Sequence, residues 1–318
     1  MGIMVQGKWQ QQDFAGRNSK GSYVRANTAF HHSIGDADFP AEAGRYHLIV
    51  AHACPWAHRT LIVRALKGLE AVISVAYVEP LMLENGWELM AGGDPVTGAK
   101  YTHQIYAQAA PDYSGRCSVP VLWDKKARTI VNNESSEIIR MLNSAFDGFA
   151  TKQIPDLYPE HLRAEIDAVN DVVYNNINNG VYKAGFATTQ EAYEGVFAVL
   201  FQALDEMEAR LGGQRYLTGP RITEADWRLF ATLVRFDAVY VGHFKCNRQR
   251  IEDFPNLSNY LRELYQWPGI AGTVDIPRTK QHYYGSHTAI NPFGIVPMGP
   301  ELDFDSPHDR GRLPDENG

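Results

Sequence analysis

Apolar and polar positions are spaced differently in the first and second halves of the chain. Residues 45–53 form a mostly apolar run, residues 55–70 place apolar side chains three and four positions apart, and residues 71–80 are again strand-like. These patterns predict a strand, a helix and a second strand, the order typical of a parallel crossover unit. Two further strands and a helix are predicted after a long interruption, at 118–124, 128–133 and 134–147.

Beyond residue 160 the spacing of apolar residues is helical. Four segments follow this spacing and predict helices at 161–179, 189–212, 222–241 and 256–267. Thr223 followed by Asp226 is close to a capping box at the start of the third helix, with Asp in place of the usual Glu. The whole pattern predicts a small α/β domain followed by an all-α domain.

Composition sets the expected boundaries between the parts of the chain. The polar, Gly-rich start predicts an extended arm that is partly packed on the surface. Residues 81–115 are rich in Gly, Pro and Tyr and predict a long surface insertion, a feature that is often functional. The expected parts are the arm, the α/β domain with its insertion, a linker, the helical domain and a C-terminal extension, at 1–42, 43–147, 148–160, 161–275 and 276–318. The polar end of the extension is expected to be mobile.

Composition and charge narrow the classes of function. The chain has 318 residues, and 30 Lys and Arg against 37 Asp and Glu give a net charge of −7, which argues against nucleic acid as a partner. No apolar run is long enough to span a bilayer, and the first residues lack the apolar core of a secretory signal. Three cysteines are too few for a disulfide scaffold and fit a reducing compartment. We therefore expect a cytoplasmic protein that binds neither membranes nor nucleic acid.

The stretch AHACPWAHR, residues 51–59, places a single cysteine between a predicted strand and a predicted helix. A free thiol has a pKa of about 8.5, and the unpaired N–H groups and partial positive charge of a helix N-terminus lower the pKa of a thiol. Pro55 fits the first helical position, so Cys54 is expected near the N-cap with its sulfur facing those donors. The alternative for Cys54 is a small buried apolar side chain. A zinc site with His52 and His58 is a weaker alternative, because it has three ligands and no second cluster.

Ala57 occupies the position at which a dithiol motif has its second cysteine. A disulfide formed on Cys54 must then be released by a thiol from outside, unless Cys117 or Cys246 lies close in space. Glutathione is the abundant thiol of the cytosol. The missing second cysteine therefore indicates a monothiol mechanism.

Two other segments carry groups that suit a peptide-like thiol. Val119 precedes Pro120 at the start of a predicted strand. The bond between them is either cis, leaving the Val119 backbone to pair with an extended peptide, or that of an ordinary edge-strand proline. The stretch NNESSEII begins a predicted helix whose backbone donors can bind a carboxylate, while Glu134 can bind an ammonium. The γ-glutamyl end of glutathione carries both groups, although a capped helix needs no ligand.

With these segments the chain resembles the glutathione transferases, and more narrowly the glutathionyl-hydroquinone reductases of the Xi class, over nearly its whole length. The resemblance rests on the segments CPWAHR (54–59), ENGWEL (84–89), SVPVLWD (118–124), IVNNESSEIIRMLN (130–143), NNGVYKAGFATTQEAYE (178–194) and INPFGIVPMGP (290–300). It implies a thioredoxin-like, glutathione-binding N-terminal domain and a helical C-terminal domain. It also implies a homodimer, which the apolar C-terminal segment favours.

The resemblance also implies roles for individual residues. Cys54 matches the catalytic cysteine of the family. Trp87 matches the indole that covers glutathione, and Arg116 matches the arginine that binds a carboxylate. Val119 matches the backbone partner of the cysteinyl unit, and Glu134 with Ser135 matches the anchor of the γ-glutamyl unit. The segments that supply catalytic phenols to the quinol site contain Tyr182 and Tyr283, and the adjacent Tyr284 is open as the one that faces the ligand. Cys117 stands where a less reactive residue is expected, which leaves open a second thiol near the site.

The implied reaction is the glutathione-dependent reduction of S-glutathionyl-hydroquinones to hydroquinones, with glutathione as co-substrate and no metal. The Cys54 thiolate attacks the glutathione sulfur, tyrosine hydroxyls help supply a proton to the leaving ring, and a second glutathione releases the mixed disulfide as oxidised glutathione. Three alternatives stay open. They are an omega-like thiol transferase or dehydroascorbate reductase acting on glutathione mixed disulfides, a conjugating transferase, and a non-enzymatic binding protein on the same scaffold.

Overall fold

The N-terminal arm begins with a hairpin rather than with an isolated extended segment. The computed structural model describes residues 2–11, 16 and 18–316, and its first two strands pair antiparallel as β1 (Gly2–Val5) and β2 (Lys8–Gln11). Met4 exchanges two backbone hydrogen bonds with Gly115 at 2.9 Å each, and the Trp9 indole donates to the Glu84 carbonyl at 3.0 Å. The hairpin therefore packs against both ends of the insertion.

A mixed four-stranded sheet forms the centre of the first unit. Its strands are β3 (Tyr46–Val50), β4 (Ser74–Tyr77), β5 (Val121–Asp124) and β6 (Thr129–Asn132), in the order β4-β3-β5-β6. The β3–β4 pair is parallel, whereas β3–β5 and β5–β6 are antiparallel. Every residue of β3 is buried, which explains its largely apolar run. This arrangement is the one expected of a thioredoxin-like domain.

Nine α-helices lie within the described residues. They are α1 (Pro55–Leu66), α2 (Thr102–Ala109), α3 (Ser135–Ser144), α4 (Arg163–Val172), α5 (Asn179–Gly185), α6 (Gln190–Gly213), α7 (Glu224–Arg235), α8 (Pro255–Tyr265) and α9 (Ile276–Ser286). Helices α1 and α3 pack against each other beside the sheet. No helix in this part of the chain combines the length and apolar character that a membrane span requires.

The helices and strands divide into two compact units, and each unit draws on separate stretches of the chain. The first comprises Arg25–Gln153, the N-terminal hairpin and Pro277–Ser286. The second comprises Ile154–Ile276 together with residues 18–24 and 287–316. The expected α/β plus all-α architecture is thereby confirmed, with the C-terminal extension contributing α9 to the first unit and its remainder to the second.

The composition predicted that the insertion at 81–115 lies on the surface, and this prediction is only partly right. Its helix α2 buries Ile105 and Tyr106 completely and packs against β6. An eight-residue helix is too short to leave a clear apolar period among the surrounding glycines and tyrosines. The insertion therefore contributes core side chains to the first unit.

A buried carboxylate fixes the preceding part of the insertion to the sheet. Asp94 accepts hydrogen bonds from the backbone N–H of Val96 at 3.1 Å and of Thr97 at 2.9 Å. Its Oδ1 also lies 3.3 Å from Nε2 of His47 on β3. Burial favours the neutral form of Asp94, but the bonds from His47 and Thr97 outweigh it and hold the pKa of the carboxyl well below its usual range. The ionised Asp94 thus joins the insertion to the central strand.

The second unit is helical, as predicted, but the helix expected at 161–179 is divided. Helices α4 and α5 flank a π-helical segment, Val173–Asn178, and a second π-helical segment, Phe236–Tyr240, follows α7. Spacing of apolar residues does not distinguish a π-helical turn from an α-helical one. The predicted capping box of α7 is confirmed, because Thr223 accepts from the N3 backbone and Asp226 accepts from the Thr223 N–H at 2.8 Å.

The polar end of the chain was expected to be mobile, and that expectation is wrong at Arg310. The guanidinium of Arg310 is fully buried and donates to the carbonyls of Leu211, Gln214 and Arg215. These carbonyls lie at the C-terminal end of α6, where backbone acceptors have no partner within the helix. Arg310 therefore caps α6 and holds the end of the chain on the second unit.

Candidate active site

Cys54 lies at the turn between β3 and α1, at the predicted N-cap. Its sulfur accepts a hydrogen bond from the backbone N–H of Ala57 at 3.5 Å, and Pro55 fills the first helical position. The Cys54 thiol donates to the carbonyl of Val119 at 3.4 Å. Cys54 is half-buried, and its sulfur faces the positive end of α1.

The Val119–Pro120 bond is cis, as one of the two alternatives had it, and the pairing of the Val119 backbone with a peptide stays a prediction. Val119 is buried and stands immediately before β5. Its carbonyl reaches Cys54 from the neighbouring strand, while Cys54 itself follows β3. Adjacent strands thus bring the two predicted site residues together.

The second predicted anchor is the N-terminus of α3. Glu134 is the N-cap residue, and its carboxylate accepts from the backbone N–H of Ser136 at 3.1 Å and from the Thr28 hydroxyl at 3.3 Å. Ser135 is buried, and its Oγ accepts from Nη1 of Arg59 at 3.4 Å. Glu134 therefore caps α3, which was one of the two alternatives, and it does so with a half-buried carboxylate beside the helix N-terminus.

Two arginines lie over the ring of Trp56, two residues after Cys54, and the sequence predicted a role for neither. The guanidinium carbons of Arg25 and Arg59 lie 4.4 and 4.5 Å from the centre of the Trp56 ring. Arg59 is buried and also donates to Ser135, so one cation connects the N-terminal turn of α1 with that of α3. Its charge adds to the positive potential of both helix ends. Nothing in the spacing of the arm indicated that Arg25 would reach Trp56.

Trp87 of the insertion packs against a histidine from α9. The ring centres of Trp87 and His282 are 4.6 Å apart, with 25° between their planes, and both residues are buried. Nδ1 of His282 lies 3.0 Å from the carbonyl oxygen of Pro80, and burial lowers the pKa of His282 to about 4. The imidazole is therefore neutral at pH 7, with its Nδ1 proton directed to Pro80. His282 was missed, although it directly precedes Tyr283.

The three predicted quinol-site tyrosines fall on different units. Tyr283 and Tyr284 lie on α9 of the first unit, Tyr283 buried and Tyr284 half-buried. Tyr182 lies on α5 of the second unit, half-buried in an aromatic cluster with ring centres 5.5 to 6.3 Å away: Phe186, Tyr240 and Phe244. Each unit therefore carries one of the predicted catalytic phenols.

Arg116 is half-buried and stands in the segment between α2 and β5. Its carbonyl accepts a hydrogen bond from the Tyr113 hydroxyl at 2.8 Å, which fixes the backbone of this segment. Arg116 lies three residues before Val119, whose carbonyl accepts from the Cys54 thiol. Its predicted role as a carboxylate-binding arginine stays a prediction.

The other two thiols are poorly suited to resolving a disulfide on Cys54. All three cysteines are unpaired by disulfides, and Cys117 and Cys246 are buried. Burial raises the pKa of both buried thiols well above the ordinary value. Because the thiolate is the attacking species, neither is prepared to act as a second nucleophile at neutral pH.

The zinc interpretation of His52, Cys54 and His58 finds no support among the described residues. Within 2–11, 16 and 18–316, no group of three or more His, Cys, Asp or Glu side chains is arranged to hold a metal ion. His52 instead stacks on Tyr77 with ring centres 4.3 Å apart, and His58 is buried in α1.

Comparison with known proteins relates both units to one superfamily. The family described as the N-terminal domain of glutathione S-transferase matches residues 53–145, and that described as the C-terminal domain matches residues 190–263. Glutathionyl-hydroquinone reductase YqjG of Escherichia coli (strain K12) is 51% identical over 324 residues, covering 98% of each chain. Glutathionyl-hydroquinone reductase PcpF of Sphingobium chlorophenolicum is 52% identical over 305 residues, covering 94% of this chain and 96% of its own.

Solved structures agree with these sequence matches. The glutathione-bound structure of YqjG from Escherichia coli K-12 matches with a TM-score of 0.87 at 50% identity, covering 97% of this chain and 99% of the other. A Xi class glutathione transferase from Natrialba magadii matches with a TM-score of 0.92 at 48% identity, covering 99% of this chain and 98% of the other. The similarity therefore extends through both units.

Proposed function

The chain belongs to the glutathionyl-hydroquinone reductases, a branch of the glutathione transferases, and we propose how its residues carry out that reaction. The enzyme reduces S-glutathionyl-hydroquinones to hydroquinones at the expense of glutathione. The observation that supports the assignment most directly is the position of the Cys54 sulfur. It is half-buried, faces the N-terminus of α1 and lies 3.4 Å from the carbonyl of Val119.

Glutathione binds along the first unit, with its two ends held by different elements. The cysteinyl unit pairs with the backbone of Val119, as an added strand does. The γ-glutamyl carboxylate lies at the N-terminus of α3 beside Ser135, and its ammonium contacts Glu134. Because Ser135 Oγ accepts from Arg59, its own proton can be donated to that carboxylate. Trp87 covers the ligand, and Arg116 holds the other carboxylate.

The first chemical step forms a disulfide and releases the ring. The Cys54 thiolate attacks the sulfur of the glutathionyl group, an S–S bond forms, and the bond between sulfur and the ring carbon breaks. The electron pair of that bond goes to the ring carbon, which takes up a proton and leaves as the hydroquinone. Tyr283 and Tyr182 hydrogen-bond the ring oxygens and help supply the proton. Tyr284, the more exposed neighbour of Tyr283, is the other candidate for the ring contact.

The second step restores the thiolate. A second glutathione attacks the mixed disulfide on its glutathione sulfur, and oxidised glutathione leaves. Ala57 is at the third position of α1, where a dithiol enzyme would place its own resolving thiol. Since the thiols of Cys117 and Cys246 are buried, an outside thiol must perform this step.

A chromatographic turnover assay tests this mechanism. The protein is incubated with glutathione and glutathionyl-menadiol, and free menadiol and oxidised glutathione are quantified for the wild type, Cys54→Ser and Cys117→Ala. One-to-one release of both products by the wild type and Cys117→Ala, with none from Cys54→Ser, is the expected result. Near-normal turnover by Cys54→Ser would overturn the mechanism.

The alternative from the sequence is an omega-like thiol transferase that acts on glutathione mixed disulfides or on dehydroascorbate. Cys54 would serve that chemistry equally well, so substrate preference decides. If no menadiol is released but Cys54 still forms an adduct with glutathione from glutathione disulfide, the thiol transferase is the better assignment.

The second expected partner is another copy of the chain. The segment Phe293–Met298 exposes large apolar side chains: Phe293 is 89% exposed, Ile295 70% and Met298 97%. Patches of this kind mark association surfaces. We expect a homodimer by light scattering and a shift to monomer in a Phe293→Ser, Met298→Ser variant. An unchanged dimer in that variant would assign the contact to another surface.

The cytoplasmic location stays a prediction.

A further inference from the structure

A single buried hydroxyl connects the two glutathione anchors of the first unit. Tyr106, on the insertion helix α2, is fully buried, and its hydroxyl donates to the carbonyl of Ser118 at 2.9 Å. The same hydroxyl accepts from Nδ2 of Asn133 at 2.9 Å. Ser118 directly precedes Val119, and Asn133 directly precedes Glu134. Tyr106 therefore touches the chain one residue before each anchor.

We infer that Tyr106 is a positioning residue, which sets the spacing between the Val119 backbone and the N-terminus of α3 so that the cysteinyl unit and the γ-glutamyl end of glutathione are met at once. The inference rests on the proposed function, because it takes Val119 and Glu134 as glutathione contacts. Tyr106 itself is buried and does not touch the ligand.

The direction of the hydrogen bonds is fixed by the groups around Asn133. Its Oδ1 accepts from the backbone N–H of Ala29 at 3.3 Å and of Phe30 at 3.1 Å, so its Nδ2 must face Tyr106. The Tyr106 oxygen then accepts, and its proton goes to the Ser118 carbonyl. Burial raises the pKa of Tyr106 well above the ordinary value, which keeps that proton in place. The bonds from Asn133 to Tyr106 and from Tyr106 to the Ser118 carbonyl thus run in one direction, and the Ser118 hydroxyl lies 3.5 Å from the same Tyr106 oxygen.

A matched tyrosine elsewhere in the same unit separates positioning from stability. Tyr46 is also fully buried, and its hydroxyl donates to the Pro40 carbonyl at 2.7 Å. It stands at the first position of β3, whereas Cys54 follows the last, so Tyr46 lies at the opposite end of that strand. Tyr46→Phe removes the same kind of bond without touching either anchor.

The experiment measures the dissociation constant of glutathione by titration calorimetry in a Cys54→Ser background, which prevents disulfide formation. Tyr106→Phe removes both bonds of the hydroxyl and should raise the dissociation constant about tenfold, whereas Tyr46→Phe should change it less than about twofold. Circular dichroism confirms that both variants are folded. Equal dissociation constants for the two variants would overturn the inference.

A third variant separates this inference from the proposed function beneath it. Glu134→Gln should weaken glutathione binding through loss of the ammonium contact. If it does and Tyr106→Phe does not, the positioning role alone is wrong. If Glu134→Gln binds normally, the proposed glutathione anchors are wrong and the inference falls with them. Should Tyr106→Phe not fold, Asn133→Ser cuts the same link from its other end; a folded Asn133→Ser with wild-type affinity would equally contradict the inference.

Discussion

The N-termini of α1 and α7 use one physical device for opposite purposes. At α1, the sulfur of the half-buried Cys54 accepts a long hydrogen bond, 3.5 Å, from the backbone N–H of Ala57. At α7, the fully buried Asp226 accepts four hydrogen bonds, with distances of 2.7 to 3.2 Å, from the backbone of Leu217 and Thr223 and the hydroxyls of Thr223 and Tyr260. The α1 end presents a half-buried thiol, whereas the acceptor at the α7 end is fully buried and committed to the fold.

The difference lies in the chemistry and the burial of the acceptor at each helix end. Sulfur is a poor hydrogen-bond acceptor, so α1 is capped less firmly than a serine would cap it. Burial raises the pKa of Asp226 to about 6, because its hydrogen bonds offset only part of the burial penalty. The α1 end carries a thiol, whereas the α7 end carries a carboxylate that satisfies four buried donors.

The largest effect is expected for Cys54→Ser. Turnover should fall by a factor of about 1,000 or more, which corresponds to about 4 kcal/mol in activation free energy. The free energy of unfolding should change by less than about 1 kcal/mol, because serine is itself a favoured N-cap residue. Denaturant unfolding followed by circular dichroism measures the second quantity. A large loss of stability in Cys54→Ser would break the comparison, since the α1 end would then be structural as well.

The converse substitution is Asp226→Ala. It leaves buried donors without an acceptor and should lower the free energy of unfolding by about 3 kcal/mol or more. Asp205→Ala provides the control, because the Asp205 ion pair with Arg248 is on the surface and should contribute less than about 1 kcal/mol. If both variants lose the same free energy of unfolding in urea, the hydrogen bonds to Asp226 contribute no more to stability than a surface ion pair does.

His282 gives a pH-dependent test of the reactive unit. Its pKa is lowered by burial to about 4 from an ordinary 6.5, so between these values the unfolded chain binds one more proton than the folded chain. Stability should therefore fall as the pH falls from 6.5 towards 4, by about 2 kcal/mol from this group at pH 5. His282→Phe keeps a ring against Trp87 and should flatten this dependence. If the free energy of unfolding falls by the same amount between pH 7 and pH 5 in the wild type and in His282→Phe, the burial argument is contradicted.

The smallest effect concerns the phenols. Tyr182→Phe and Tyr283→Phe should each slow the release of hydroquinone about tenfold and leave the reduction of a simple glutathione mixed disulfide nearly unchanged, because only the ring needs a proton donor. Parallel assays of both substrates measure the ratio. Equal losses for both substrates would mean that these hydroxyls serve the thiol end and not the ring.

Local signals in the sequence were sufficient to predict where α1 and α7 begin. Pro55 after Cys54 marked the start of α1, and the Thr223–Asp226 pair marked the start of α7, because capping depends on residues three positions apart. The strands of the first unit and the parallel crossover from β3 to β4 followed from the pattern of apolar residues, and the roles predicted for the glutathione contacts came mainly from resemblance to a known family.

Contacts between distant segments were beyond the reach of such signals. Periodicity does not tell that Arg25 lies on Trp56, that His282 lies under Trp87, or that a short helix in the insertion buries Tyr106. Each of these pairs joins parts of the chain that only the folded structure brings together. The buried cap formed by Arg310 was unpredictable for the same reason, since its acceptors are backbone carbonyls that any residue could supply.

The segment Pro277–Ser286 has a consequence for biosynthesis. It belongs to the first unit, yet the ribosome adds it only after the residues of the second unit, 154–276, have been made. Domains tend to fold as they emerge, from the N-terminus onward. Here the unit that begins first has to wait for its last helix, so Trp87 stays without the His282 ring until synthesis has passed residue 286. The nascent first unit therefore acquires the ring that stacks on Trp87 only after the residues 154–276 of the second unit have been synthesised.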